Sequence, residues 1–157
     1  LDKQLKIGLV PTRREAFANE TTTRRKEAVV KRFRELAEEL GIADVADCIV
    51  VSMRPDLGDE GMQQLMQALS QRLMLGRQHA VLLDFSGVML LDHHEFRQVR
   101  KLAEVCRLLG AVCLLVGLNA GIAAFLALAD AEPGPLRCFL DMDDAFAHVR
   151  TTLKDEE

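Results

Sequence analysis

The 157-residue sequence contains no tryptophan and no tyrosine, and its aromatic residues are seven phenylalanines. It has no uninterrupted apolar run near the roughly 20 residues that span a membrane. None of its four cysteines forms a C-x-x-C pair, and three of them lie in apolar runs, where a reduced cysteine packs as a small hydrophobic residue. These absences argue against a membrane span and against a disulfide or metal staple. We expect a protein of a reducing, cytoplasmic compartment.

Charge is divided unevenly along the chain. The first 41 residues carry a net charge of +3, and the remaining residues carry −7. The basic end interleaves its Lys and Arg with Glu, and its aromatic residues are Phe17 and Phe33. A nucleic-acid surface requires a basic patch with stacking groups. We therefore interpret the basic end as a solvated helix face, and expect neither nucleic acid nor a membrane as a partner.

The N-terminal part predicts a short strand and an amphipathic helix. Residues 5–10, LKIGLV, are typical of a strand that Pro11 ends. The helix is predicted from Arg24 to Leu40, because apolar residues recur three and four apart in a seam formed by Val29, Phe33, Leu36 and Leu40. The seam is too short to be stable as a free coiled coil. We expect it to pack on a second copy, as a homodimer, or on a partner surface.

After Gly41 the pattern changes to alternating strands and helices. Strands are predicted at residues 47–53, 80–85, 111–116 and 136–140, and helices at 58–75, 92–109, 120–128 and 141–153. Three side chains can cap helices: Asp92, Asn119 and Asp141. This alternation predicts an α/β domain with a largely parallel sheet that is covered by helices.

One stretch carries a resemblance to a known family. "VLLDFSGVMLLD" at the third predicted strand is followed by a helix, by "CRLLGAVCLLVGLNAGIAAFL" and by "LDMDDAFAHV". In this order the segments resemble the STAS domain of anti-sigma-factor antagonists and stressosome scaffold proteins, over residues 42–153. The resemblance implies a mixed, mostly parallel sheet of four to five strands. It also implies a division into an extension, 1–41, and a STAS domain, 42–157, with a linker helix before the domain.

The resemblance implies a non-enzymatic regulatory module of a bacterial stress or sigma-factor pathway, with no cofactor. In the family, a Ser or Thr directly after the Asp of the loop that follows the third strand is phosphorylated by a partner kinase, and the new charge changes which partner binds. The corresponding loop and helix are then expected to bind a switch kinase, an anti-sigma factor or another STAS protein. Their candidate contact residues are Asp92, His93, His94, Glu95, Arg97 and Arg100.

This sequence departs from the family at the acceptor position. Asp92 matches, but the next residue is His93, and no Ser or Thr occurs between Val88 and Val149. Ser86 remains as a candidate phosphosite, although a hydroxyl in an Asp-Phe-Ser-Gly turn commonly satisfies backbone groups.

Three interpretations of the paired histidines stay open. They can be solvent-facing substitutions at a site that has lost its switch. His93 can itself be phosphorylated or act as a pH-sensitive charge at the partner surface. Alternatively Asp92, His93, His94 and His79 can bind a metal. We predict no metal site, because adjacent helical residues point about 100° apart and share one ion poorly.

Two other functions compete with the regulatory one. Gly117 to Gly121 opens a helix after a strand and can hold a phosphate, which suggests a nucleotide or small-ligand domain, although the G-x-G-x-x-G spacing is missing. The opening "LKIGLVPTRREA" is faintly similar to sugar-isomerase-like enzymes. An enzyme needs convergent polar groups in a pocket, whereas the STAS-like module is expected to present a convex surface of helix and loop.

Overall fold

The computed structural model describes residues 38–45, 47–128 and 136–155, together with positions 28, 31 and 35. Positions 28, 31, 35, 38 and 39 are helical, and the chain turns at Leu40 and Gly41, whose φ is 68°. Leu40 is buried. The predicted strand at residues 5–10 and the other seam residues, Val29, Phe33 and Leu36, lie outside the described residues. The domain boundary at 41/42 stays a prediction.

Five strands and four helices follow within the described residues, and after the first strand, strands and helices alternate. They are β1 (Ile42–Val45), β2 (Cys48–Ser52), α1 (Gly58–Leu75), β3 (Ala80–Asp84), α2 (His93–Leu108), β4 (Val112–Val116), α3 (Ala120–Leu128), β5 (Arg137–Phe139) and α4 (Met142–Asp155). The sheet keeps the chain order β1-β2-β3-β4-β5. β1 pairs with β2 antiparallel, and all other pairs are parallel. The predicted mixed, mostly parallel sheet of the STAS-like fold is confirmed.

β3 is the centre of the sheet because its residues suit burial on both faces. Ala80, Val81, Leu82 and Leu83 each have 0% exposure. A strand of this kind reads as one continuous apolar run, which is typical of parallel sheets covered on both sides. Leu82 is in register with Val50 of β2 and with Leu114 of β4.

Helices cover the two faces of the sheet. Ala145 and Val149 of α4 pack against Leu82 and Leu114 on one face. α2 packs on the opposite face, beside α1. Buried residues of both helices recur three or four apart, as an amphipathic helix on a core requires: Leu65, Leu69 and Leu73 in α1, and Phe96, Val99, Leu102 and Cys106 in α2.

The connections after β2, β3 and β4 meet at one edge of the sheet, because parallel strands end on the same side. Two backbone hydrogen bonds continue the ladder beyond the strands: Met53 N–H donates to Asp84 O at 2.9 Å, and Phe85 N–H donates to Val116 O at 2.8 Å. The candidate site lies on these connections and on the start of α2, which follows the connection after β3. Within the described part of the chain, no helix is both long and apolar enough to cross a membrane.

Candidate functional site

The turn after β3 is held by the carboxylate of Asp84. Its Oδ1 accepts a hydrogen bond from Ser86 N–H at 2.9 Å and another from the Ser86 hydroxyl. Phe85 O accepts Val88 N–H at 2.9 Å and closes the turn. The hydroxyl of Ser86, the candidate phosphosite, is therefore engaged in the turn itself. Gly117 has a φ of 72°, and a Cβ on it would lie 3.2 Å from Ser86 N.

The loop that follows presents apolar side chains to solvent. Val88 is buried, but Met89 is 74% exposed and Leu90 is 81% exposed. The loop is fixed by Asn119, whose side-chain amide donates to Val88 O at 2.9 Å and to Met89 O at 3.1 Å. Asn119 Oδ1 also accepts Ile122 N–H at 2.9 Å and caps α3. The sequence predicted the cap but neither hydrogen bond to the loop.

α2 begins with a capping box. Glu95 N–H donates to Asp92 Oδ1 at 2.8 Å, and Asp92 N–H donates to Glu95 Oε2 at 2.8 Å. Reciprocal bonds of this kind satisfy two backbone donors that a helix start leaves free. Two of the predicted partner-binding residues thus also define where the helix starts.

The two histidines have different partners. The ring of His93 meets Phe125 of α3 edge-on, with ring centroids 4.8 Å apart. His94 Nε2 lies 2.6 Å from Oδ1 of Asp59, the second residue of α1. His79 lies directly before β3, at the opposite end of the sheet. The two adjacent rings do not converge, and no group of three potential metal ligands occurs among the described residues.

A groove lies between the N-terminal ends of α1 and α2, with a volume of about 340 Å³. Its floor is apolar and includes the buried side chains of Met53, Met62, Phe85, Val88 and Val99. Its polar rim includes Asp59, Asp92, His94 and Glu95. The sequence predicted a convex surface here, and this prediction was incomplete because the ends of the two helices leave a cleft above the sheet.

The polar groups at the rim of the groove largely satisfy one another. His94 contacts Asp59 at 2.6 Å, and Asp92 and Glu95 form the capping box. Arg54 lies 3.8 Å from Asp56. These contacts hold the rim side chains in place beside the groove.

The sheet order, the helices on both faces and the capped helix after β3 define the STAS fold. Many solved structures share it, and three of them follow. A serine-to-glutamate variant of RsbS from Moorella thermoacetica is 18% identical with a TM-score of 0.63, covering 72% of this chain and 98% of its own. A stressosome structure is 19% identical with a TM-score of 0.63, covering 71% of this chain and 97% of its own.

The third is the anti-sigma factor antagonist SpoIIAA in its unphosphorylated form. It is 12% identical with a TM-score of 0.56, covering 70% of this chain and 95% of its own. At these identities the likeness establishes a common fold. No protein-family model matches the sequence, and no curated protein is significantly similar to it.

Proposed function

We propose that the protein is a bacterial, cytoplasmic, non-enzymatic regulatory or scaffolding module, and that the loop after β3 and the start of α2 bind a protein partner. The observation that carries this proposal is the exposure of Met89 and Leu90 on a loop that Asn119 holds in place. Binding residues concentrate on loops positioned by a rigid scaffold. Two large apolar side chains presented together on such a loop suit a protein contact.

The fold supports partner switching as the context. RsbS, a stressosome protein and an anti-sigma factor antagonist share it. SpoIIAA has been solved in unphosphorylated and phosphorylated forms. We propose a switch kinase, an anti-sigma factor or another STAS protein as the partner class, in contact with Asp92, His93, His94, Glu95, Arg97 and Arg100.

His93 is proposed to replace the phosphoacceptor, so that this surface binds its partner without a Ser/Thr phosphorylation step. Its ring packs against Phe125, and the sequence offers no Ser or Thr from Val88 to Val149. Ser86 is the nearest remaining hydroxyl, and its bond to Asp84 stabilises the turn. Intact-mass analysis after incubation with a switch-class kinase should show no phosphate on Ser86, and a phosphate there would overturn the proposal for His93.

The interaction surface is tested by capture of partners from native cells. His93→Glu places an anion where a phosphorylated relative carries one, and Met89→Asp with Leu90→Asp removes the apolar contact. Both should lose or exchange the partners that the parent captures, and mass spectrometry should identify these as kinases, anti-sigma factors or STAS proteins. His79→Glu is the matched control, because His79 is exposed at the other end of the sheet. Identical partner lists for all four proteins would refute the site.

Assembly as a homodimer through Val29, Phe33, Leu36 and Leu40 is also proposed. Leu40 is 5% exposed, so the dimer contact would depend mainly on the other three seam residues, Val29, Phe33 and Leu36. Phe33→Asp with Leu36→Asp should give a monomer in light scattering. A double variant that remains as dimeric as the parent would show that the seam packs elsewhere.

A further inference from the structure

The outer face of α2 carries three cations within little more than one helical turn. Arg97, Arg100 and Lys101 are all exposed. Residues three and four apart lie side by side on a helix, with Cβ atoms about 5–6 Å apart. Arg97 is therefore a neighbour of both other residues. We call these three residues the cationic stripe.

The carboxylates of α2 that could neutralise the stripe are engaged elsewhere. Glu95 accepts Asp92 N–H in the capping box. Glu104 is four residues from Arg100 and three from Lys101, but it forms a two-pronged contact with Arg107. Arg107 Nε donates to Glu104 Oε2 at 2.9 Å, and Nη2 donates to Oε1 at 2.6 Å. This bond holds the pKa of Glu104 below its usual value and leaves it ionised on Arg107.

The stripe consequently has no counter-ion in the part of the chain that the structure describes, where no ion pair or hydrogen bond reaches Arg97, Arg100 or Lys101. Arg72, by contrast, has a partner: its Nη1 lies 3.0 Å from Asp44 Oδ2. The contrast is sharper because residues 42–157 carry a net charge of −7. A compact positive potential thus stands on an acidic domain, beside the proposed binding loop.

We infer that the cationic stripe binds an acidic segment of a protein partner, one that presents two or three Asp or Glu side chains about one helical turn apart. This inference rests on the proposed function, because it assigns the chemistry of the partner at the same surface. Carboxylates at that spacing match the stripe charge for charge, and such complementarity steers association and fixes the register of docking.

The surroundings of the stripe favour a short acidic segment over an extended polyanion. A nucleic acid or an anionic membrane that reached the stripe would also approach Asp92 and Glu95 at one end of α2 and the negatively charged domain around the helix. These negative charges would repel a large polyanion. A single-stranded nucleic acid also gains from stacking on aromatic groups, and α2 contains one phenylalanine, Phe96, which is buried.

The test uses the full chain and two helical peptides of about 18 residues, long enough to hold a helix. One carries three Glu at positions i, i+3 and i+4, and the other carries Gln there. When each peptide is titrated into the protein, the NMR chemical shifts of residues 93–104 should change with the Glu peptide and not with the Gln peptide. The triple variant Arg97→Gln, Arg100→Gln, Lys101→Gln should bind the Glu peptide about tenfold more weakly, as the loss of three exposed ion pairs implies.

Arg77→Gln is the matched control, because Arg77 is an exposed cation outside α2 and should leave binding unchanged. Raising the salt from about 50 to 300 mM should weaken binding by the parent, because screening acts on exposed charges. Equal affinity for the two peptides, or for parent and triple variant, would overturn the inference. So would tighter binding, through the same three residues, of an oligonucleotide or of phosphatidylglycerol vesicles.

The two proposals fail separately. If the Glu peptide does not bind but His93→Glu still alters partner capture, only the acidic partner is refuted. If partner capture is unaffected by His93→Glu and by the Met89 and Leu90 changes while the peptide binds the stripe, the proposed loop surface is refuted and the stripe stands.

Discussion

The ring of His93 meets the ring of Phe125 at an angle of 65°, with 4.8 Å between their centroids. His93 is the first residue of α2, and Phe125 lies in the middle of α3. The contact therefore links the start of α2 to the helix that follows β4. An edge-on pair of this kind stabilises through the quadrupole of the aromatic ring.

Replacing Phe125 by leucine should release His93 while keeping an apolar side chain in place. The ring protons of His93 should then move towards the chemical shifts of a histidine that has no aromatic neighbour in an NMR spectrum. His94, which contacts Asp59 instead, is the internal control and should not move. The unfolding free energy should fall by about 0.5–1 kcal/mol. Unchanged His93 resonances would show that the rings do not meet in solution.

Asn119→Asp should loosen the binding loop. The carboxylate still accepts Ile122 N–H but cannot donate to Val88 O and Met89 O, so two carbonyls lose their donors. We expect a loss of about 1–3 kcal/mol in unfolding free energy and faster amide hydrogen exchange at residues 88–91.

The control for this change is Asp141→Ala. Asp141 Oδ1 accepts Asp144 N–H at 2.9 Å and caps α4. Its loss should cost about 1 kcal/mol and leave exchange in the loop unchanged. Equal exchange rates at residues 88–91 in Asn119→Asp and in the parent would contradict the role assigned to the amide.

Alanine substitutions at two glycines should distinguish the cost of a left-handed backbone from the cost of a steric contact. Gly110 and Gly117 have φ of 83° and 72°. Gly110→Ala meets no atom within 4 Å, whereas Gly117→Ala meets Ser86 N at 3.2 Å. Gly110→Ala should cost about 1–2 kcal/mol for its left-handed backbone alone. Gly117→Ala should lower the free energy of unfolding, measured by urea denaturation, by more than Gly110→Ala does. Equal losses for the two variants would mean that the turn after β3 moves to accommodate the added Cβ at no cost.

The buried thiol of Cys48 should make stability fall at alkaline pH. Burial, and then the nearby charge of Asp47, raise the pKa of Cys48 above its ordinary value of 9.0. A raised pKa means that the folded state holds the thiol proton more tightly than the unfolded state does. The protonated thiol therefore contributes its full share to the free energy of unfolding below about pH 9, and this share is lost as pH rises through the folded-state pKa. Urea denaturation between about pH 8 and 10.5 should show a shallower fall in Cys48→Ala than in the parent, and equal slopes would contradict this.

Much of the fold could be predicted because its signals are local. α1 and α3 have the predicted bounds, and Asp92, Asn119 and Asp141 cap the helices assigned to them. A cap depends on residues within one turn, so a short window of sequence contains it. The alternation of continuous apolar runs with amphipathic segments likewise predicted a parallel sheet.

The candidate site was predicted less completely because its contacts are distant in sequence. Asn119 reaches Val88 across 31 residues, and His94 reaches Asp59 across 35. The run from Val88 to Leu91 is wholly apolar, which normally indicates burial, yet Met89 and Leu90 face solvent. Which apolar residues of a loop point outwards depends on the hydrogen bonds that hold it, and these form only in the folded chain.

The order of the strands has a consequence for synthesis on the ribosome. Each of β2 to β5 pairs with the strand made just before it, so every strand can join the growing edge as soon as it has emerged, without opening strands that are already paired. Until β4 arrives, however, the apolar β3 is an exposed edge that invites aggregation. The last strand, β5, has only three residues. When synthesis is complete, the edge strand on this side of the sheet is therefore β5, which is too short to pair stably with another chain, in place of the aggregation-prone β3.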